Sequence, residues 1–184
     1  MSRLPALDEA QMSDEARRVA SAIVAGPRGE VRGPFIPLLH NPAAADAVQR
    51  MGAFLRFDGT LPGDLREMVI LMVARRWTAQ YEWFAHHRIA LDEGLSAQIC
   101  DAIAVGQRPT FDNPQFAATY DFVDALLTTH VVDDALYAPV ADFLGPSGTV
   151  ELIVLCGHYH TISMLLNTFE VEVPGGETPL APLD

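Results

Sequence analysis

The stretch QYEWFAHHRIALDEG, residues 80–94, sets Glu82, His86 and His87 beside two aromatics, Tyr81 and Trp83. On a helix, residues four apart lie about 40° apart around the axis, so Glu82 and His86 share a face and can touch. A carboxylate against an imidazole fixes its tautomer and raises its basicity, which is what a general acid or base needs. His87 lies about 100° round the axis and belongs to packing or to an interface. The plain alternative is a solvated pair on an exposed face, which spacing alone does not exclude.

Other residues could join this pair. Glu67 would lie roughly 22 Å from Glu82 in one continuous helix, but a turn near Thr78 would let the two approach. Thr78 is also the expected cap of the second helix, which puts Glu82 in a first turn where the helix dipole favours an anion. Arg66 or Arg88 could grip a substrate carboxylate in a bidentate contact, or be a surface charge. His158 and His160 flank Tyr159 in an apolar stretch; residues two apart point about 200° apart, so only one can face a given pocket. His40, in PLLHNP, either bonds backbone beside a helix cap or lines the pocket. Phe35, Met51, Phe54 and Trp83 are candidate apolar walls, with core packing the commoner use of such residues. H-E-x-x-H is absent and neither histidine pair has the i, i+4 spacing of a helical chelate, so no metal is expected. His158 or His160 meeting His86 and Glu82 is the arrangement that would supply one.

The elements that must position these groups read as helices throughout, with little period-2 alternation. Ser13, followed by two acids, starts a helix to about Ala25, which GPRGEVRGPF breaks. Asn41-Pro42 opens a helix to about Phe54 or Phe57, and Pro62 opens one made apolar almost all round by Ile70, Leu71, Val73 and Ala74, as a central element should be. Gly94 closes the helix that holds His86, and Ser96 caps another to Gly106. Asn113-Pro114 starts a helix to about Thr129, Asp133 one to about Leu144, and a long apolar helix runs from about Thr149 to Phe169. The tail, about 174–184, has the composition of a mobile or partner-wrapping end.

Composition narrows the function. With 184 residues and 49% apolar content the chain fits one domain that buries a core without disulfides. A net charge of -12 repels nucleic acid and anionic membrane surfaces, leaving a small-molecule substrate. All twelve basic residues are Arg, which excludes a lysine Schiff base. Cys100 and Cys156 form no C-x-x-C and read as buried small hydrophobes. The first residues are acidic and polar, unlike a signal peptide, and the longest apolar run, MVILMVA, is far below the roughly 20 residues of a membrane span. A cytoplasmic protein is expected.

The block LREMVILMVARRWTAQYEWFAHHRIALDEGLS resembles the core repeat of the carboxymuconolactone decarboxylase and alkylhydroperoxidase D superfamily. The resemblance covers most of residues 34–173 and is strongest over 61–96. It implies an all-α, alkylhydroperoxidase D-like helical bundle, a single domain over 1–184, assembling as a homotrimer or homohexamer. The peroxidase branch carries Glu, eleven residues, Cys, two residues, Cys, three residues, His. Counted from Glu67, that pattern lands on Ala79, Glu82 and His86, so the relay positions are kept while both thiols are replaced. The decarboxylase branch is similar in having Glu and His at Glu82 and His86, Arg at Arg66, and a late helix like HYHTISMLLNTF with Tyr159 and Asn167 in register. The resemblance thus implies a cofactor-independent lyase acting on a small carboxylated lactone or enolisable compound. His86 would move the proton, Glu82 would orient it and Glu67 would be a second acid-base group. Arg66, His40, Tyr159, His158 and Trp83 would contact substrate. The alternatives are a peroxidase-like oxidoreductase using Cys156 or Cys100, and a non-catalytic helical oligomer that binds a metabolite.

Overall fold

Most of the helices begin where a short polar side chain can accept one of the first free N–H groups. The computed structural model describes residues 2–183, and among them there is no strand. The helices are α1 (Asp14–Ala25), α2 (Phe35–Leu38), α3 (Pro42–Ala53), α4 (Gly63–Arg76), α5 (Gln80–Asp92), α6 (Ala97–Ala104), α7 (Pro114–Thr128) and α8 (Asp134–Thr168). Ser13, Asn41, Ser96, Asn113 and Asp133 cap α1, α3, α6, α7 and α8 through their side chains. The short α2, which starts at the last residue of the segment read as a breaker, was not foreseen.

α4 is the axis of the bundle. Its residues Leu65 and Glu67 to Arg75 are all buried, with α5, α6, α7 and α8 packed around it. Each fully buried Leu, Ile, Val or Met contributes roughly 1.5–3 kcal/mol, so this helix holds much of the core. A π-helical turn, Phe54–Asp58, leads into it. The buried Glu151 of α8 fixes the entry by accepting bonds from the Thr60 N–H, the Thr60 hydroxyl at 2.8 Å and the Leu61 N–H at 3.2 Å.

The chain turns sharply between α4 and α5. Thr78 does not cap α5: it takes a left-handed φ of 46°, Ala79 holds the cap position without a side-chain bond, and the Thr78 hydroxyl accepts a bond from the Arg75 guanidinium at 2.8 Å. The β-branched residue is held in this uncommon conformation by that contact and by the Ala79 N–H to Ala74 carbonyl bond.

A second cluster, Val19, Ile23, Phe35, Leu38, Leu39 and Ala45, joins α1 and α2 to α3 beside the main core. α8 as a whole is long and apolar enough to span a bilayer, although no uninterrupted run in the sequence is. It is broken at Gly145, whose φ of 66° and ψ of 177° suit glycine alone, and it lays Leu152, Leu155, Tyr159 and Ile162 into the core. The opposite face leaves Val150, Ile153, Val154 and Met164 exposed. The tail does not hang free: Leu180 is buried, and its N–H and C=O both bond the Gln80 side-chain amide at 2.9 and 2.8 Å. Met1 and Asp184, the ends of the expected domain, lie outside the described residues.

Candidate active site

The turn at Thr78 brings Glu67 of α4 against α5. Glu67 Oε2 lies 2.6 Å from His86 Nδ1, and Glu82 Oε1 lies 3.2 Å from His86 Nε2. One imidazole is therefore clasped between two carboxylates, with all three residues buried. Burial alone would lower the His86 pKa, but the charges of Glu67 and Glu82 outweigh it and raise it to about 9. For Glu67, burial pushes the pKa up, yet the neighbouring His86 and Arg66 hold it below the ordinary carboxylate value. The raised His86 pKa favours an imidazolium at neutral pH, with the Glu67 carboxylate against its Nδ1.

Glu82 and His86 open onto a cavity of about 160 Å³, whereas Glu67 stands behind them. Tyr159 of α8 meets His86 edge-on, with ring centroids 5.1 Å apart, and also lines the cavity. Burial and the Glu82 charge raise its pKa, so its hydroxyl stays a donor. His158 lies beside it with its pKa lowered to about 4 by burial, then by the charges of Arg28 and His86, and is neutral at pH 7. Three arginines complete the wall: Arg28 and Arg32, from the loop between α1 and α2, the latter paired with Glu30, and Arg56, from the π-helical turn. Gly52 of α3 leaves the room that Arg28 and His158 need. A Cβ there would come within 2.7 Å of the Arg28 Nη2 and 2.8 Å of the His158 Nε2.

The structure thus gathers Glu67, Glu82, His86, Tyr159 and His158, and parts from the sequence expectation elsewhere. Arg66 does not line the cavity, because its guanidinium is engaged by Glu67 and Glu93, each at 3.2 Å. Arg88 points to solvent, 3.8 Å from Asp92. His40 bonds the Pro5 carbonyl at 3.0 Å and tethers the amino-terminal segment instead of lining the pocket. Trp83 belongs to the core, stacked on His87 with ring centroids 5.7 Å apart, which also accounts for His87 as packing. Of the other apolar candidates Phe35 reaches the cavity, while Met51 and Phe54 are exposed. His160 accepts a bond from the Trp77 indole N–H, and Asn167 donates to the Trp77 carbonyl, so both brace the end of α4. No set of three or more His, Cys, Asp or Glu side chains is arranged to hold a metal among the described residues. Arg28 and Arg56 were missed. The one signal was Arg28 inside a Gly- and Pro-rich break; Arg56 lies in the π-helical turn, and no periodicity says which way a side chain in either irregular segment points.

No family model and no curated protein matches the chain. Solved structures do. The alkylhydroperoxidase AhpD core of an uncharacterised peroxidase-related protein from Ralstonia eutropha superposes with a TM-score of 0.75 at 21% identity, over 94% of this chain and 92% of that one. An uncharacterised peroxidase-related protein from a Silicibacter species gives 0.73 at 13% identity, over 92% and 90%. A putative antioxidant defence protein AhpD of unknown function from Agrobacterium tumefaciens gives 0.62 at 17%, over 78% and 99%.

Proposed function

Because the chain has the alkylhydroperoxidase D-like fold and yet carries Ala79 and Glu82 at the thiol positions of the resembling pattern, we propose that it is a cofactor-independent acid–base enzyme of the lyase type. It decarboxylates, or otherwise protonates and deprotonates, a small enolisable compound. One observation carries this reading: His86, bridged by Glu67 and Glu82, stands in the wall of a cavity.

The steps follow from the geometry. In a decarboxylation the bond from carbon to the departing carboxylate breaks, and its electron pair moves into a conjugated carbonyl as carbon dioxide leaves. The Tyr159 hydroxyl donates to the oxygen on which charge develops. His86 then gives its Nε2 proton to the carbon, and Glu82 returns a proton to it from solvent. Glu67 keeps the ring oriented and stabilises its charged form throughout, much as the buried acid of a hydrolase triad does. The test is His86→Ala in an assay of carbon dioxide release from a carboxylated muconolactone, the substrate class implied by the decarboxylase resemblance. Turnover should fall by about 10²–10⁴-fold with the fold intact, and full activity would sink the assignment.

The peroxidase-related names of the neighbouring structures favour a redox alternative. It would have to use Cys100 or Cys156. Both are buried, neither lines the cavity, and burial pushes their thiols up to about 11 and about 12, which leaves almost no thiolate at pH 7. Unchanged peroxide consumption in the Cys100→Ser, Cys156→Ser double variant would remove it. The same reading includes a homo-oligomer, trimer or hexamer, in which a second copy covers the exposed stripe Val150, Ile153, Val154 and Met164. That stripe is uncharged on a chain of net charge -12, so two copies can meet there without repulsion.

A further inference from the structure

Three arginines that the acid–base relay does not use line the cavity, and one of them, Arg32, is paired at 3.0 Å with Glu30 of the same wall. Arg28 and Arg56 are the other two, and neither has a carboxylate partner among the described residues. Their company is aromatic: the Arg28 guanidinium lies 4.8 Å from the centroid of Phe35, and that of Arg56 5.1 Å from Phe57. In a chain with 24 acids and only 12 arginines, a free guanidinium is the exception. Arg66, Arg108 and Arg32 show the rule, each paired at 3.2 Å or closer. The Arg28 Nε is moreover buried without any hydrogen-bond partner. Burial, and then the charge of Arg56, lower the Arg28 pKa, so two like charges stand near each other at a disadvantage.

We propose that Arg28 and Arg56 form an anion subsite that seats a carboxylate of the substrate, with His158 beside it, and so presents the rest of the molecule to Glu82, His86 and Tyr159. The planar guanidinium fork matches a carboxylate, and a bound carboxylate relieves the repulsion between the two arginines. Gly52 is part of the design, because any side chain there would displace Arg28 and His158 together. Glu82, on the same cavity, disfavours a dianionic phosphate and selects a singly charged head group. The inference deepens the lyase reading and rests on it for the reacting end of the substrate. The carboxylate on the arginines is the one that stays, since holding the departing group equally well before and during its departure would gain no rate.

The experiment is calorimetric titration of the full chain with benzoate and with benzamide, two probes of one shape that differ in charge. Benzoate should bind at millimolar concentration or below, and benzamide at least tenfold more weakly. Arg28→Gln and Arg56→Gln should each weaken benzoate about tenfold, equivalent to about 1.4 kcal/mol, and leave benzamide unchanged. Arg28→Lys should keep part of the affinity. Without ligand, Arg28→Gln should melt at or above the wild-type temperature, and benzoate should no longer raise it, whereas an arginine with a purely structural role would lower it. Equal binding of the two probes, no binding of benzoate, or wild-type affinity in the double glutamine variant would each overturn the subsite. Binding is read without turnover, so an active His86→Ala enzyme would defeat the lyase reading and leave this result standing.

Discussion

α4 buries a carboxylate and a guanidinium about two turns apart, and the two are satisfied in opposite ways. Arg75 donates to the carbonyls of Ala104 and Ala181 at 3.1 and 2.8 Å and to the Thr78 hydroxyl, groups that never titrate. Glu67 faces Arg66 and His86, and His86 continues through Glu82 to the cavity. The first arrangement is a fastening that ties α6 and the tail to the bundle. The second can pass a proton. A buried charge by itself therefore says little about function, and what distinguishes the two ends is whether the partners ionise and whether the last of them meets an open space.

The comparison breaks most visibly at Glu67. Glu67→Gln leaves the charged forms of His86 and Arg66 buried beside a neutral amide, and should cost about 3–5 kcal/mol of stability at pH 7, read from the urea midpoint. A loss below about 1 kcal/mol would mean that the clasp is not holding His86 charged. Next comes pH. A raised His86 pKa contributes stability that is fully present below its ordinary 6.5 and is lost as pH rises through about 9, a span equivalent to roughly 3 kcal/mol. The depressed Glu67 pKa works the other way: its contribution is present above the ordinary 4.5 and is lost as pH falls through the lower folded value. Unfolding free energy should therefore be highest between those limits and decline on the alkaline side, and a flat alkaline limb would contradict the assignment.

At the other end of α4 the effects are smaller and should not touch titration. Arg75→Met should cost about 2 kcal/mol by orphaning two carbonyls and a hydroxyl, with the alkaline decline unchanged. If that decline moved, the two ends would be coupled and the distinction would blur. Gln80→Ala should cost only about 1 kcal/mol, and limited proteolysis should show the chain around Leu180 becoming a cleavage site.

Much of the scaffold was legible because it depends on local chemistry. Ser13, Asn41, Ser96, Asn113 and Asp133 announce helix starts through hydrogen bonds that span three residues or fewer, and α4 announces its central place by being apolar all round. The Glu82–His86 pair was legible for the same reason, one helical turn being a local distance. Glu67 could be tied to it only through the resemblance and a conjectured bend. What stayed hidden is set by tertiary geometry. Thr78 looked like a cap because its type fits one, but the Arg75 contact holds it left-handed. Arg66 was given a substrate because the decarboxylase branch has an arginine there, and Glu67 and Glu93, the latter from beyond α5, occupy it instead. Arg28 and Arg56 come from irregular segments whose direction no pattern encodes.

The left-handed Thr78 turns the nineteen-position separation of Glu67 and His86 into a length standard. One residue added or removed within α5 ahead of His86 would swing the imidazole about 100° around the helix, out of reach of Glu67 and toward the place of His87 or Ala85. Surface loops of this protein can change length at little cost, but this corner cannot. A chain that keeps both residue types and alters their separation would keep the fold and lose the relay.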